Sequence, residues 1–294
     1  MAKVICVANG KGGVGKTMTV GAIASILSQE GNRCLVLDLD AQRNLDMLAG
    51  KGVAISRRDN ESLNIFSVLN GECQLKDAIK TTEIGDLVRA TNQLYSWTGS
   101  PLLTEEEFAN LRDTPEALID LLDNRFSVKR NNGDVKILKR KLADVQDEYD
   151  YILIDTNPTL MTLTLASLYA ADAVLIPVFS EKSSAEACVE MVETIRAMTL
   201  YNPAMKTKIA GILMTKYDGR SRAGRRHDIK YSNMSKKLDI KLFNTRIRSS
   251  ARAAETVEAG SDIMRYAPES TTAQDYKKFV DEELLPRLAE LENE

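Results

Sequence analysis

Gly10-Lys11-Gly12-Gly13-Val14-Gly15-Lys16-Thr17 satisfies the spacing G-x-x-x-x-G-K-[ST] in full. Glycines at these positions let a backbone wrap an anion with its N–H groups pointing inward, and the start of a helix adds partial positive charge. The chemistry is that of a phosphate cradle. Gly10 to Gly15 would line it, Lys16 would bridge the β- and γ-phosphates, and the Thr17 hydroxyl would ligate Mg²⁺, which demands hard oxygen ligands. Two acidic segments stand ready to complete such a site. Asp38-Leu39-Asp40-Ala41-Gln42 ends one apolar run, and Tyr149-Asp150-Tyr151-Ile152-Leu153-Ile154-Asp155 is an apolar run that itself ends in an acid. Asp155 is the expected holder of Mg²⁺, through a water. The single histidine, His227, sits between an arginine and an aspartate in a polar stretch and reads as a solvated loop residue.

These groups need elements to position them. Val4–Ala8, Cys34–Leu39, Tyr151–Ile154, Ala173–Val178 and Ile209–Met214 read as buried strands, with weaker candidates at Leu87–Ala90 and Leu242–Ile247. Val20–Glu30, Leu160–Ala170 and Ala185–Leu200 carry helical spacing, and a last helix is expected from about Ala273 to Glu292. Strands alternating with helices predict an α/β fold: a mostly parallel, twisted sheet with helices on both faces. Residues 51–115 are more polar, with Gly71, Gly85, Gly99 and Pro101 as breakers, and read as short helices and loops inserted in the same domain. Residues 1–294 are expected to form one domain.

Lys11 adds a second lysine at the mouth of the loop. The run Lys-Gly-Gly-Val-Gly-Lys-Thr resembles the deviant Walker A motif of the ParA/MinD family of P-loop ATPases. Asp38-Leu39-Asp40-Ala41-Gln42 resembles that family's D-x-D-P-Q switch, with Ala41 in place of proline. Asp155-Thr156-Asn157-Pro158 falls at the Walker B end, with Asn157 where a proline is usual, and Ala170–Val178 is similar to the strand that follows it. The resemblance spans almost the whole chain and implies a P-loop NTPase fold, ATP and Mg²⁺ as cofactors, and two ATP molecules sandwiched in a homodimer. It implies catalytic roles for Lys11, reaching the partner's nucleotide, for Lys16, and for Asp40, positioning the attacking water. Asp38 would support the metal region beside Thr17 and Asp155. The backbone of Met18, where a hydroxyl residue is usual, would face the α-phosphate. Thr215 and Arg248 align with segments that flank the adenine, Arg248 standing in place of a proline. The loop begins at Gly10, so an N-terminal helix-turn-helix domain is not expected.

The net charge of −3 conceals a strong polarity. Between Lys206 and Arg252 fourteen basic residues face three acidic ones, a local charge of +11, which leaves −14 for the rest. Such a segment is an electrostatic footprint for a polyanion. Arg220, Arg222, Arg225, Arg226, Arg248 and Arg252 are the candidate DNA contacts. The resemblance then implies a partition (DNA or plasmid segregation) ATPase that binds nonspecific DNA as an ATP dimer and is stimulated by a ParB-like centromere-binding protein. A cytoplasmic, nucleoid-associated location follows. The alternative is a MinD-like membrane-cycling ATPase, but Glu282, Glu283, Glu290, Glu292 and Glu294 near the C-terminus would be repelled by anionic lipid. An ATP-dependent reductase or metal-cluster carrier would need paired cysteines, and Cys6, Cys34, Cys73 and Cys188 are scattered, as reduced and mostly buried thiols. An enzyme acting on a small metabolite is a further alternative. No run of about 18 apolar residues predicts a membrane span.

Overall fold

The structure is a computed structural model that describes residues 1–50, 63–97, 134–158 and 162–294. Among the described residues eight strands form one sheet: β1 (Lys3–Val7), β2 (Cys34–Asp38), β3 (Ile79–Thr82), β4 (Gly85–Val88), β5 (Tyr151–Asp155), β6 (Ala173–Val178), β7 (Lys208–Tyr217) and β8 (Leu242–Arg248). Their order is β3-β4-β2-β5-β1-β6-β7-β8, and every pairing is parallel except β3 with β4. The alternation of apolar side chains divides the core into two layers. Val4, Cys6, Leu35, Leu37, Ile152, Ile154, Val174 and Ile176 point to one side. Ile5, Val7, Cys34, Val36, Leu153, Ala173 and Leu175 point to the other. A sheet buried on both faces requires such continuous apolar strands.

Helix α1 (Lys16–Gln29), the short α2 (Asn44–Leu48), α3 (Ile65–Asn70) and α4 (Leu94–Trp97) precede α5 (Ile137–Ala143), α6 (Thr162–Ala170) and α7 (Lys182–Tyr201). Then follow α8 (Arg222–Leu238), α9 (Ala251–Ala259), α10 (Ile263–Tyr266), α11 (Thr271–Phe279) and α12 (Leu285–Asn293). A π-helical turn, Val280–Leu284, joins the last two, so the expected C-terminal helix is one continuous run with a local widening.

Two expectations need correction. Residues 63–97 are not simply an insertion, because β4 pairs with β2 and extends the sheet. Its span is Gly85–Val88 rather than Leu87–Ala90. The chain enters β4 through a turn at Gly85, whose φ of +112° and approach to the Cys34 carbonyl leave no room for a Cβ. The remainder of the 51–115 reading, with Gly99 and Pro101, lies outside the described residues. His227 lies within helix α8, not in a loop. That helix escapes the eye because its mean composition is polar and its buried face is narrow. Only Gly224, Tyr231 and Ser235 of the helix are buried.

Candidate functional site: a phosphate loop over two buried carboxylates

Strand register builds the site. Val7 is level with Asp155, and Asp38 is level with Asp155 on its other side. The loop leaving β1 therefore passes directly over the ends of the two acidic strands, at the carboxyl edge where open parallel sheets receive ligands. Asn9 ties the loop down: its Nδ2 donates to the Pro177 carbonyl at 2.8 Å, and its Oδ1 accepts from the Lys11 N–H at 2.9 Å. β1 pairs with β6 only as far as Val7 and Leu175, so Pro177, which is still level with Leu213 of β7, lies beyond the β1 ladder and its missing N–H deprives β1 of no bond. Asn9 was not singled out from the sequence, although its place directly before Gly10 was a usable signal.

Gly13 and Gly15 adopt φ of +75° and +83°, a left-handed backbone that strains any L side chain. A Cβ on Gly12 or Gly13 would meet nothing within 4 Å, so the mouth of the loop is open. Val14 is buried, and its carbonyl is 2.8 Å from the Thr215 hydroxyl, which also lies 3.1 Å from the Val178 carbonyl. Thr215 thus supports the loop from beneath, with its hydroxyl committed to backbone. Lys16 is only 6% exposed, and its ammonium donates to the Asn9 and Lys11 carbonyls, each at 3.2 Å. Burial lowers its pKa, opposed by the charges of Asp155 and Asp40. Thr17 follows at the head of α1, and Met18 packs against the second core layer. Gly10 packs near the Pro158 carbonyl.

Asp38 and Asp155 are fully buried. Asp38 Oδ1 accepts the Asp40 N–H at 3.0 Å, while Asp38 Oδ2 and both Asp155 oxygens have no hydrogen-bond partner. Burial pushes Asp155 up to about 7; the Thr17 hydroxyl and Lys16 pull against it from nearby without reaching bonding geometry. Asp38 is raised well above the ordinary carboxylate range, first by burial and then by the charge of Asp155. Unpartnered buried carboxylates are costly, and a cation is what relieves them. Among the described residues no group of three His, Cys, Asp or Glu could hold a metal by itself. A divalent ion at this site would need further oxygens from Thr17 and from a phosphate chain, and the open loop is placed to receive one. The donor set therefore fits Mg²⁺ arriving with a nucleotide. Asp40, 7% exposed, accepts the Gln42 N–H at 3.0 Å and so faces the same edge from the β2 end. Lys11 is half-exposed, with its Nζ 3.9 Å from Glu181.

An AAA domain family (AAA_31) matches residues 2–208. The sporulation initiation inhibitor protein Soj of Bacillus subtilis is 31% identical, over 94% of this chain and 96% of that protein. The chromosome-partitioning ATPase Soj of Thermus thermophilus is 30% identical, over 97% of this chain and 96% of that one. The chain belongs to the Soj/ParA family of P-loop ATPases. A solved structure of cobyrinic acid a,c-diamide synthase from Mycobacterium smegmatis with bound ADP and magnesium has a TM-score of 0.68 at 25% identity, covering 96% of this chain and 93% of that one. ATP with Mg²⁺ is the ligand pair that a phosphate loop of this kind serves.

The candidate DNA contacts are distributed unevenly. Arg222, Arg225, Arg226 and Lys230 lie on α8 at three- and four-residue spacing, and Lys236 and Lys237, two turns beyond Lys230, continue the same exposed face. Among the described residues none of these six is in an ion pair with a carboxylate, although Arg225 donates to the Gly219 and Arg220 carbonyls. Arg220 precedes the helix with a side chain 98% exposed. Arg248 is different. Its guanidinium makes a two-pronged contact with Asp275, at 2.8 and 2.7 Å, and its N–H donates to the same carboxylate. Arg252 pairs with Glu255 at 2.9 Å. The structure thus gathers Lys11, Lys16, Thr17, Asp38, Asp40, Asp155 and Thr215 around one loop, while the basic residues of α8 lie on the exposed face of that helix.

Proposed function

We propose that this ATPase segregates DNA. In this reading an ATP-bound homodimer binds DNA without sequence preference, and a ParB-like centromere-binding partner stimulates hydrolysis and returns it to monomers. It would then reside in the cytoplasm on the nucleoid. The observation that carries the reading is the unneutralised basic face of α8, on the same chain as a phosphate loop with a second, exposed lysine. The name of the Thermus relative, a chromosome-partitioning ATPase, supports it. In the chemistry of this site Lys16 and Thr17 hold phosphate and metal, Asp155 and Asp38 supply the counter-charge, and Asp40 orients water. Lys11 compensates charge across the dimer. Positioning and charge neutralisation suffice for phosphoryl transfer, so no histidine is required. A membrane-cycling role draws no support from α12, whose Glu290 and Glu292, with Glu294 just beyond its end, would be repelled by anionic lipid. Among the described residues no helix is long and apolar enough to cross a membrane.

The test is a salt series on random duplexes with ATP, ADP and no nucleotide. If about four phosphates are neutralised per dimer, log K falls against log salt with a slope of roughly −3.6, independent of sequence. Binding that ignores nucleotide would sink the proposal.

A further inference from the structure

Lys11 and Glu181 meet from two backbones that are each pinned. On one side, the Lys11 N–H is held by Asn9 Oδ1 at 2.9 Å. On the other, the segment leaving β6 is fastened from three directions. The Phe179 carbonyl accepts from the Glu181 N–H at 2.7 Å and from the Tyr231 hydroxyl at 2.9 Å. The Phe179 N–H donates to Ser184 Oγ at 3.2 Å, and Lys216 Nζ lies 5.7 Å from the Phe179 ring centre. Tyr231 is completely buried, so the tether from α8 is not a surface accident. With both backbones fixed, the two charged tips are left 3.9 Å apart, 38% and 49% exposed. Among the described residues Glu181 is the one carboxylate within ion-pair distance of Lys11.

We propose that Glu181 is a cis counter-ion for Lys11: it holds the lysine on its own subunit and thereby sets the protein concentration at which ATP drives dimerisation. The inference rests on the reading that Lys11 acts across a dimer. A lysine engaged with its own subunit's carboxylate cannot at the same time neutralise a partner's nucleotide, so the pair must open first. Half-exposed pairs of this kind shift an equilibrium by roughly two- to fivefold. Two of them open per dimer, so the effect on the dimer constant is the square, roughly fourfold to twenty-five-fold. Because the tips are wetted, salt screens the pair, and the effect should shrink as ionic strength rises.

The experiment compares wild type with Glu181→Gln by sedimentation velocity over a dilution series, with Mg²⁺ and a non-hydrolysable ATP analogue, at low and high salt. A fluorescent ATP analogue, titrated at protein concentrations where both are monomers, gives the intrinsic nucleotide affinity. The latch predicts a dimer dissociation constant lower in Glu181→Gln by about fourfold to twenty-five-fold, a difference that narrows in high salt, and equal nucleotide affinity in the monomers. A mutant that dimerises when wild type does not would support it as well. A wild-type dimer that the mutant merely equals, a weaker mutant dimer, or an altered monomer affinity for nucleotide would each overturn it. If neither protein associates, the dimer reading itself falls and the latch falls with it.

Discussion

Asp38 and Asp155 stand level at neighbouring strand ends, and three of their four carboxylate oxygens find no partner. The arrangement costs stability when the site is empty of cations, which makes a direct prediction. Without nucleotide or Mg²⁺, Asp155→Asn should be more stable than wild type by about 1–3 kcal/mol, the scale of an unsatisfied buried polar group. Its Mg²⁺-dependent ATP hydrolysis should be lost. Urea denaturation of the nucleotide-free proteins measures the first, and a phosphate-release assay the second; an apo mutant less stable than wild type would contradict the assignment. Lys16 lies within the same loop, its ammonium resting on two loop carbonyls. Lys16→Ala should weaken ATP binding by about tenfold to a hundredfold, the worth of a charge-assisted contact, in titrations with a fluorescent analogue. Lys11→Ala should bind nucleotide almost normally and yet fail to form the ATP-dependent dimer, as followed by light scattering.

Helix α8 is the element that the proposed function depends on most. Ser221 caps it by accepting the Gly224 N–H, and the close passage of the Asp218 carbonyl over Gly224 excludes any larger residue there. Beyond the cap, Tyr231 and Ser235 face inward, while Arg222, Arg226, Lys230 and Lys237 line the outside. Substituting Arg222 or Arg226 by Ala should flatten the salt slope for DNA by about 1.8, because each change removes two phosphate contacts from a dimer. ATP-dependent dimerisation should be unaffected. A slope unchanged by either substitution would return this face to ordinary solvated surface. Arg248 should behave otherwise: held by Asp275 at the end of β8, its loss is expected to destabilise the fold more than it weakens DNA binding. Comparing Arg248→Ala with Arg222→Ala in thermal melts and in the salt series separates the two.

Across the whole molecule, the sheet couples the site to global stability. The loop, both acidic strands and α1 share one core, and Thr19 of α1 meets Tyr276 of α11 at 2.9 Å in its second layer. A ligand that binds only this folded edge must stabilise the fold. At one hundred times its dissociation constant, Mg²⁺-ATP contributes about 2.7 kcal/mol. For a chain of this size that raises Tm by roughly 4–5 °C in a thermal melt. At the same ligand concentration Lys16→Ala, with affinity weakened tenfold to a hundredfold, should keep only about 0.4–1.4 kcal/mol of this stabilisation, and chelating the metal should remove part of it.

The glycines, lysines and acids of the site, the buried strands and the charge polarity were all legible from the order of residues. Each depends on local spacing: a phosphate loop needs neighbouring N–H groups, and a strand buried on both faces needs an unbroken apolar run. Three features depended on the fold. Helix α8 was hidden because its buried stripe is thin and only packing against the Phe179 segment reveals which side is inside. Strand β3, Ile-Lys-Thr-Thr, is too short and polar to announce itself, and exists as an antiparallel edge because β4 offers it a free ladder. The side-by-side placement of Asp38 and Asp155, 117 residues apart, comes from strand register alone. The sequence by itself therefore determined which groups could do chemistry and which strand ended in each. Tertiary structure decided which of them stand within reach of one ion, because hydrogen-bonded register, not chain distance, sets who is whose neighbour.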